Sequence, residues 1–173
     1  MKKTVLIYGL LGGAISVIGY LITMITGAPH DGFAMLIGFA SMILAFSLIF
    51  VAASGYRKTH GEAATFGRLF LAGLYITLIA STIYVLVWLY YLYNVYPDFA
   101  TDYTTGQLEA LKASGASATE IAAETAKMKE LVLNYKKPWF VILLTYSEIV
   151  PVGLIFSLIS AAAFRYRQKR NLK

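Results

Sequence analysis

Four long apolar runs constrain this chain more than any other feature. They lie at residues 5–25, 33–53, 69–93 and 139–164, and the only fully charged side chain inside them is Glu148. Each offers about the twenty predominantly apolar residues that a helix needs to cross roughly 30 Å of hydrocarbon. With 58% hydrophobic and 14% charged residues and a mean hydropathy of +0.66, the chain is too apolar for an ordinary soluble domain. The expected fold class is therefore all-α: an integral membrane four-helix bundle forming a single membrane domain over residues 1–173. Between spans three and four, residues 97–137 are expected to form an extracytoplasmic helical hairpin.

The net charge of +6 would suggest nucleic acid in a soluble protein. Here the positive charges flank apolar runs and form no basic face, so no nucleic-acid partner is expected. With no cysteine, disulfides, thiolate nucleophiles and cysteine-bound metals are excluded. His30 and His60 fall in loops on opposite sides of the expected membrane, so neither a metal site nor a cofactor is expected. The first run could be read as a signal peptide, since Lys2 and Lys3 precede it and Thr26-Gly27-Ala28 resembles a cleavage site. It is too long for a typical signal core and Pro29 would follow the scissile bond, so an uncleaved span is expected.

Charge asymmetry sets the orientation. One side collects Lys2, Lys3, Arg57, Lys58, Arg68, Arg165, Arg167, Lys169, Arg170 and Lys173 against the single acid Glu62. The other carries Lys112, Lys127, Lys129, Lys136 and Lys137 against Asp31, Asp98, Asp102, Glu109, Glu120, Glu124 and Glu130. The positive-inside rule puts both termini in the cytoplasm. Trp88, Tyr90, Tyr91, Tyr93, Tyr96 and Trp139 would mark the outer headgroup level, and Tyr8, Tyr56 and Tyr166 the inner one. The alternative for the tyrosine-rich third run is that its rings simply pack on one another.

In the segment outside the membrane, Phe99, Tyr103, Gly106 and Ala110 recur on one face of a first helix. Ser114-Gly115-Ala116 supplies a turn, where glycine suits a left-handed helix terminus. Ser117 and Glu120 form a capping box, and Ile121, Thr125, Met128, Val132 and Tyr135 follow as a narrow seam for a partner helix. A hairpin with so small a core is expected to dock on its own spans or on another chain.

Small residues recur every four positions in the spans: Gly9 with Gly13, Gly12 with Ser16, Ala34 with Gly38, Ser41 with Ala45, Gly73 with Thr77 and Ser81, and Gly153 with Ser157 and Ala161. Such rows let helix backbones approach closely, so Gly9, Gly13, Gly38, Gly73 and Gly153 are the expected packing positions. At about 1.5 Å per residue, Glu148 lies roughly 14 Å in from Trp139. Ser16, Ser47, Ser81 and Thr82 fall at similar depth, with Ser147 beside Glu148 in sequence. Pro151 cannot donate to the carbonyl of Ser147, so the last helix is expected to open or kink there. Two roles compete for Glu148: a neutral acid bonded to a hydroxyl or carbonyl and fixing helix register, or a group that binds and releases a proton or cation.

No phosphate-binding glycine loop, HExxH, G-x-S-x-G or pair of intramembrane aspartates is present, so no enzyme is expected. Thr65-Phe66-Gly67-Arg68 reads as an interfacial turn anchored by its aromatic and its arginine.

Several stretches together resemble the bacterial membrane family catalogued as domain of unknown function 4199. They are Met1-Lys2-Lys3-Thr4 with Tyr8-Gly9-Leu10, Gly38-Phe39-Ala40-Ser41-Met42-Ile43-Leu44-Ala45-Phe46-Ser47, Thr65-Phe66-Gly67, Tyr96-Pro97-Asp98-Phe99, Lys112-Ala113-Ser114-Gly115-Ala116-Ser117, Glu148-Ile149-Val150-Pro151-Val152-Gly153-Leu154-Ile155, and Ser157-Leu158-Ile159-Ser160-Ala161. The resemblance implies a four-span protein of the bacterial inner membrane with an extracytoplasmic insert, and carries no activity, cofactor or substrate. The expected function is a non-enzymatic packing, assembly or accessory component. Its partners would be the lipid bilayer and a second copy or another membrane protein. The alternative is a small proton- or cation-coupled transport subunit built around Glu148.

Overall fold

The structure, a computed structural model, describes residues 1–18, 21–22 and 32–170, with only the backbone described at 32–35 and 165–170. Among the described residues it is helical and contains no strand. The helices are α1 (Lys2–Ser16), α2 (Gly32–His60), α3 (Phe66–Tyr90), α4 (Phe99–Ala113), α5 (Ala118–Tyr135) and α6 (Pro138–Arg170). A short 3-10 turn, Gly61–Ala63, precedes α3, and a π-type turn, Tyr91–Val95, follows it. Among the described residues three helical stretches are long and apolar enough to cross a membrane: Leu36–Ala63, Phe66–Val95 and Pro138–Phe164. The expected first span, 5–25, lies only partly within the described residues. Its start is α1, and 19–20 and 23–25 fall outside them.

Helix ends follow local chemistry. Pro138 opens α6, where its missing N–H costs nothing and its fixed φ suits the first turn. The second helix continues past the expected boundary at 53 to His60. Side chains of its last turns bond backbone there: Thr59 Oγ1 donates to the Tyr56 carbonyl at 3.0 Å, and Arg57 Nη1 reaches the Phe164 carbonyl at 2.8 Å. Arg68 Nη1 donates to the Ala63 carbonyl at 3.1 Å. Phe66, read from sequence as part of a turn, is the first residue of α3.

The chain divides into two compact units, Met1–Val87 with Tyr146–Lys173, and Trp88–Thr145. In the first unit, Gly9 meets Ile79 and Gly13 meets Ile83, so α1 and α3 run parallel. Gly73 meets Ser157 and Gly153 meets Thr77, so α3 and α6 run antiparallel. Phe156 of α6 lies 6.3 Å from the Phe46 ring and 6.1 Å from the Phe50 ring of α2. Phe46, Ile49, Ile76 and Ile149 are buried at the centre with Ala45 and Ala80.

The second unit contains α4 and α5. Gly115 takes φ +80° in the turn between them, a conformation that glycine adopts without a Cβ clash. The Ser117 cap accepts the Glu120 amide at 3.3 Å, and the Glu120 carboxylate accepts the Ser117 amide at 2.9 Å. The α5 seam of Ile121, Thr125, Met128, Val132 and Tyr135 is half-buried throughout. The inward face of α4 matches the expected one only at Phe99, which is half-buried and whose ring lies 6.2 Å from that of Tyr135. Ala100 and Thr104 are buried, whereas Tyr103, Gly106 and Ala110 are exposed. Thr104 tolerates burial because its hydroxyl donates to the Ala100 carbonyl at 2.8 Å.

Part of the expected outer aromatic marker is core. Trp88 and Tyr91 are buried, and Trp88 meets Phe99 edge-on at 4.9 Å, while Tyr90, Tyr93 and Trp139 are exposed. At the other expected boundary Tyr56 is likewise buried and stacks on His60 at 4.1 Å.

Candidate functional site

The polar residues of interest in the first unit come from α1, α2, α3 and α6. Apolar helices that lack a hydrophobic drive to associate in lipid use small side chains and short hydroxyls at their contacts. A Cβ built on Gly9 would lie 2.8 Å from the Ile79 Cβ, and one on Gly73 would lie 2.7 Å from Ser157 Oγ. At Gly13 the added atom would run into Ile83, and at Gly153 into Thr77. At Gly12 the added atom would sit in ordinary contact, with the Ala45 carbonyl oxygen and the Ala80 Cβ both 3.5 Å away. Among the described residues nothing lies within 4 Å of a Cβ added at Gly38, and residues 19–20, which the α1–α2 register would bring to its level, lie outside them. The Gly38 carbonyl accepts the Ser41 hydroxyl at 2.8 Å.

The interior hydroxyls mostly bond backbone of their own helix. Ser16 donates to the Gly13 carbonyl at 2.8 Å, and its own carbonyl accepts Ser41 Oγ at 3.3 Å, joining α1 to α2. Ser157 donates to the Gly153 carbonyl at 2.7 Å and lies 3.4 Å from Thr77 Oγ1 across the α3–α6 contact. Ser81 and Ser160 are buried hydroxyls without a hydrogen-bond partner among the described residues. Ser47, half-buried, donates to the Leu44 carbonyl at 2.6 Å. Thr82 is exposed, donates to the Leu78 carbonyl at 2.8 Å and meets the Tyr146 hydroxyl at 2.8 Å.

Glu148 does not join this set. The buried positions of α6 in this unit are Ile149, Gly153, Ser157, Ser160 and Ala161, whereas Ser147, Glu148 and Pro151 are exposed. The expected bond from Glu148 to a hydroxyl of another span is therefore absent among the described residues. Depth counting gave the level of Glu148 along the helix, but its bearing around the axis turns it away from Ser16 and Ser81. Helix α6 is continuous through Pro151.

Sequence reading did not single out Tyr146 or Ser160. Tyr146 was hidden as one tyrosine among 13. Ser160 carried a signal in its three-residue spacing from Ser157, which puts two hydroxyls on neighbouring positions of the inward face. Among the described residues no three His, Asp or Glu side chains come together in a way that could hold a metal ion. His60 is occupied locally, its Nδ1 2.7 Å from Thr59 Oγ1.

No curated protein matches the chain, and no solved structure does. Residues 7–166 match the family described as protein of unknown function (DUF4199). That match covers most of the chain and agrees with the stretches whose order suggested it, so the chain belongs to the DUF4199 family.

Proposed function

We propose that this protein is a non-enzymatic assembly or accessory component of the bacterial inner membrane. In this reading it is a four-span helical bundle with both termini in the cytoplasm and the α4–α5 hairpin outside. The charge asymmetry of its loops supports the orientation, and the pairwise register of α1, α2, α3 and α6 is compatible with alternating spans.

The observation that carries the functional part is the separation of Glu148 from the polar interior. A proton or cation path through one such chain would need its titrating carboxyl among the polar groups between helices. The interior hydroxyls Ser16 and Ser157 bond backbone instead, and the one carboxyl of α6 in this unit is exposed.

Reconstitution of the full chain into liposomes, with dyes reporting proton, sodium and potassium movement, tests this reading. The expected result is no flux above protein-free liposomes for either the wild type or Glu148→Gln. A wild-type flux that Glu148→Gln removes would favour the rival, a transport subunit that oligomerises around Glu148.

A further inference from the structure

Glu148 begins a regular stripe on the outside of α6. Glu148, Pro151, Ile155, Leu158 and Ala162 follow alternating three- and four-residue steps, and all five are exposed. That spacing is the seam along which one helix receives another. Four of the five positions need nothing beyond lipid. The first carries a carboxyl about ten residues, or roughly 15 Å, below the start of the helix at Pro138. An acid at that depth requires a partner or a proton, and it has no hydrogen-bond or ion-pair partner among the described residues.

A second copy of this chain does not supply the missing charge. None of the four apolar runs contains a lysine or arginine, so self-association along this seam would bring acid against acid. A proton alone would leave the O–H and carbonyl of the neutral acid unpaired in lipid, and a hydroxyl partner would leave an ionised carboxylate uncompensated. A cation at the same depth compensates it and forms a charge-assisted hydrogen bond in a low-dielectric setting. We infer that the seam headed by Glu148 receives a transmembrane helix of another protein that carries a lysine or arginine near mid-membrane. This rests on the assembly-component reading and names the kind of partner.

The test uses the full chain in phosphatidylcholine vesicles with synthetic single-span peptides of leucine and alanine. One series bears a central lysine at successive depths, and a control bears leucine there. Energy transfer between labelled chain and labelled peptide reports association. The expected result is that the best-placed lysine peptide binds on the order of tenfold tighter than the leucine control, and that Glu148→Leu abolishes this preference. Glu148→Gln, close in shape, serves as a second variant should Glu148→Leu fail to fold.

Equal binding of both peptides, or a preference that survives both substitutions, overturns the inference. So does dimerisation of the chain itself that Glu148→Leu dissolves, which would assign the seam to a second copy. Ion flux followed in the same vesicles separates the two levels of the argument. Indifference to the peptides without flux removes the docking inference alone, whereas flux that depends on Glu148 removes the assembly reading beneath it.

Discussion

Gly153 of α6 and Thr77 of α3 share a space that one further carbon would overfill: a Cβ on Gly153 would lie 2.5 Å from Thr77 Oγ1 and 2.9 Å from Thr77 Cβ. Threonine is stiff about its first torsion, and a clash that reaches its Cβ cannot be relieved by swinging a distant methyl. The glycine therefore sets how closely α3 and α6 approach, four residues from the Ser157 hydroxyl that bonds its carbonyl.

Gly153→Ala is expected to lower stability by about 1–3 kcal/mol through overpacking. Gly38→Ala, at a position with no described atom within 4 Å of an added Cβ, is expected to be neutral or to gain up to about 1 kcal/mol from helix propensity. Thermal unfolding of the two variants in detergent micelles should shift in opposite directions or, at least, shift only for Gly153.

Buried hydroxyls should divide by whether they are bonded. Ser81 has no partner among the described residues, so Ser81→Ala removes a desolvated polar group and is expected to leave stability unchanged or raise it by about 1 kcal/mol. Ser157→Ala removes the bond to the Gly153 carbonyl and is expected to cost about 1 kcal/mol. The same unfolding measurement ranks the two.

The cap of α5 should be sensitive to acid. Backbone and side-chain hydrogen bonds from Ser117 hold the Glu120 carboxyl below its ordinary value of 4.5. An acid with a depressed folded value stabilises the fold above its unfolded value and loses that contribution as pH falls through the folded one. Hydrogen exchange at the Glu120 amide is therefore expected to speed up as pH drops below about 4.5, after correction for intrinsic rates. Glu120→Gln should flatten this dependence.

Tyr96 should behave in the opposite sense. Its hydroxyl donates to Asp102 Oδ2 at 2.6 Å. That bond, with burial and the nearby negative charge, pushes its ionisation from 10.0 up to about 12. An acid with a raised folded value stabilises the fold fully below the unfolded value, here 10.0, and loses the contribution as pH rises toward about 12. In Asp102→Asn the Tyr96 midpoint should fall back toward 10.0, the ordinary value. Tyrosine ring carbon shifts followed through an alkaline titration would show it.

Local chemistry was the most legible part of the fold. Ser117 and Glu120 announce a helix start because both halves of the capping box lie within four residues, and Gly115 announces the turn because few side chains accept its φ. Apolar run length picked out the three described stretches long and apolar enough to cross a membrane because it needs no knowledge of neighbours. Bearings around those helices were not legible. When leucine, isoleucine and valine occupy every face of α6, no polar stripe marks its outside, so depth counting put Glu148 level with Ser16 and Ser81 without showing that it points elsewhere. Gly38 and Gly153 look alike in sequence, yet among the described residues only Gly153 meets a neighbour. In α4 Phe99 marked the inward side, but the face drawn on through Tyr103, Gly106 and Ala110 missed Thr104, which buries its hydroxyl by bonding its own helix.

Lipid contact at Glu148 is the most direct test of the account, because everything proposed for this chain depends on that carboxyl facing outward. With no native cysteine, single variants Glu148→Cys, Ile155→Cys and Ile149→Cys can each carry one fluorophore in liposomes containing brominated lipid. The account predicts quenching at 148 as strong as at the exposed position 155 and much stronger than at the buried position 149. A probe at 148 as protected as one at 149 would contradict it.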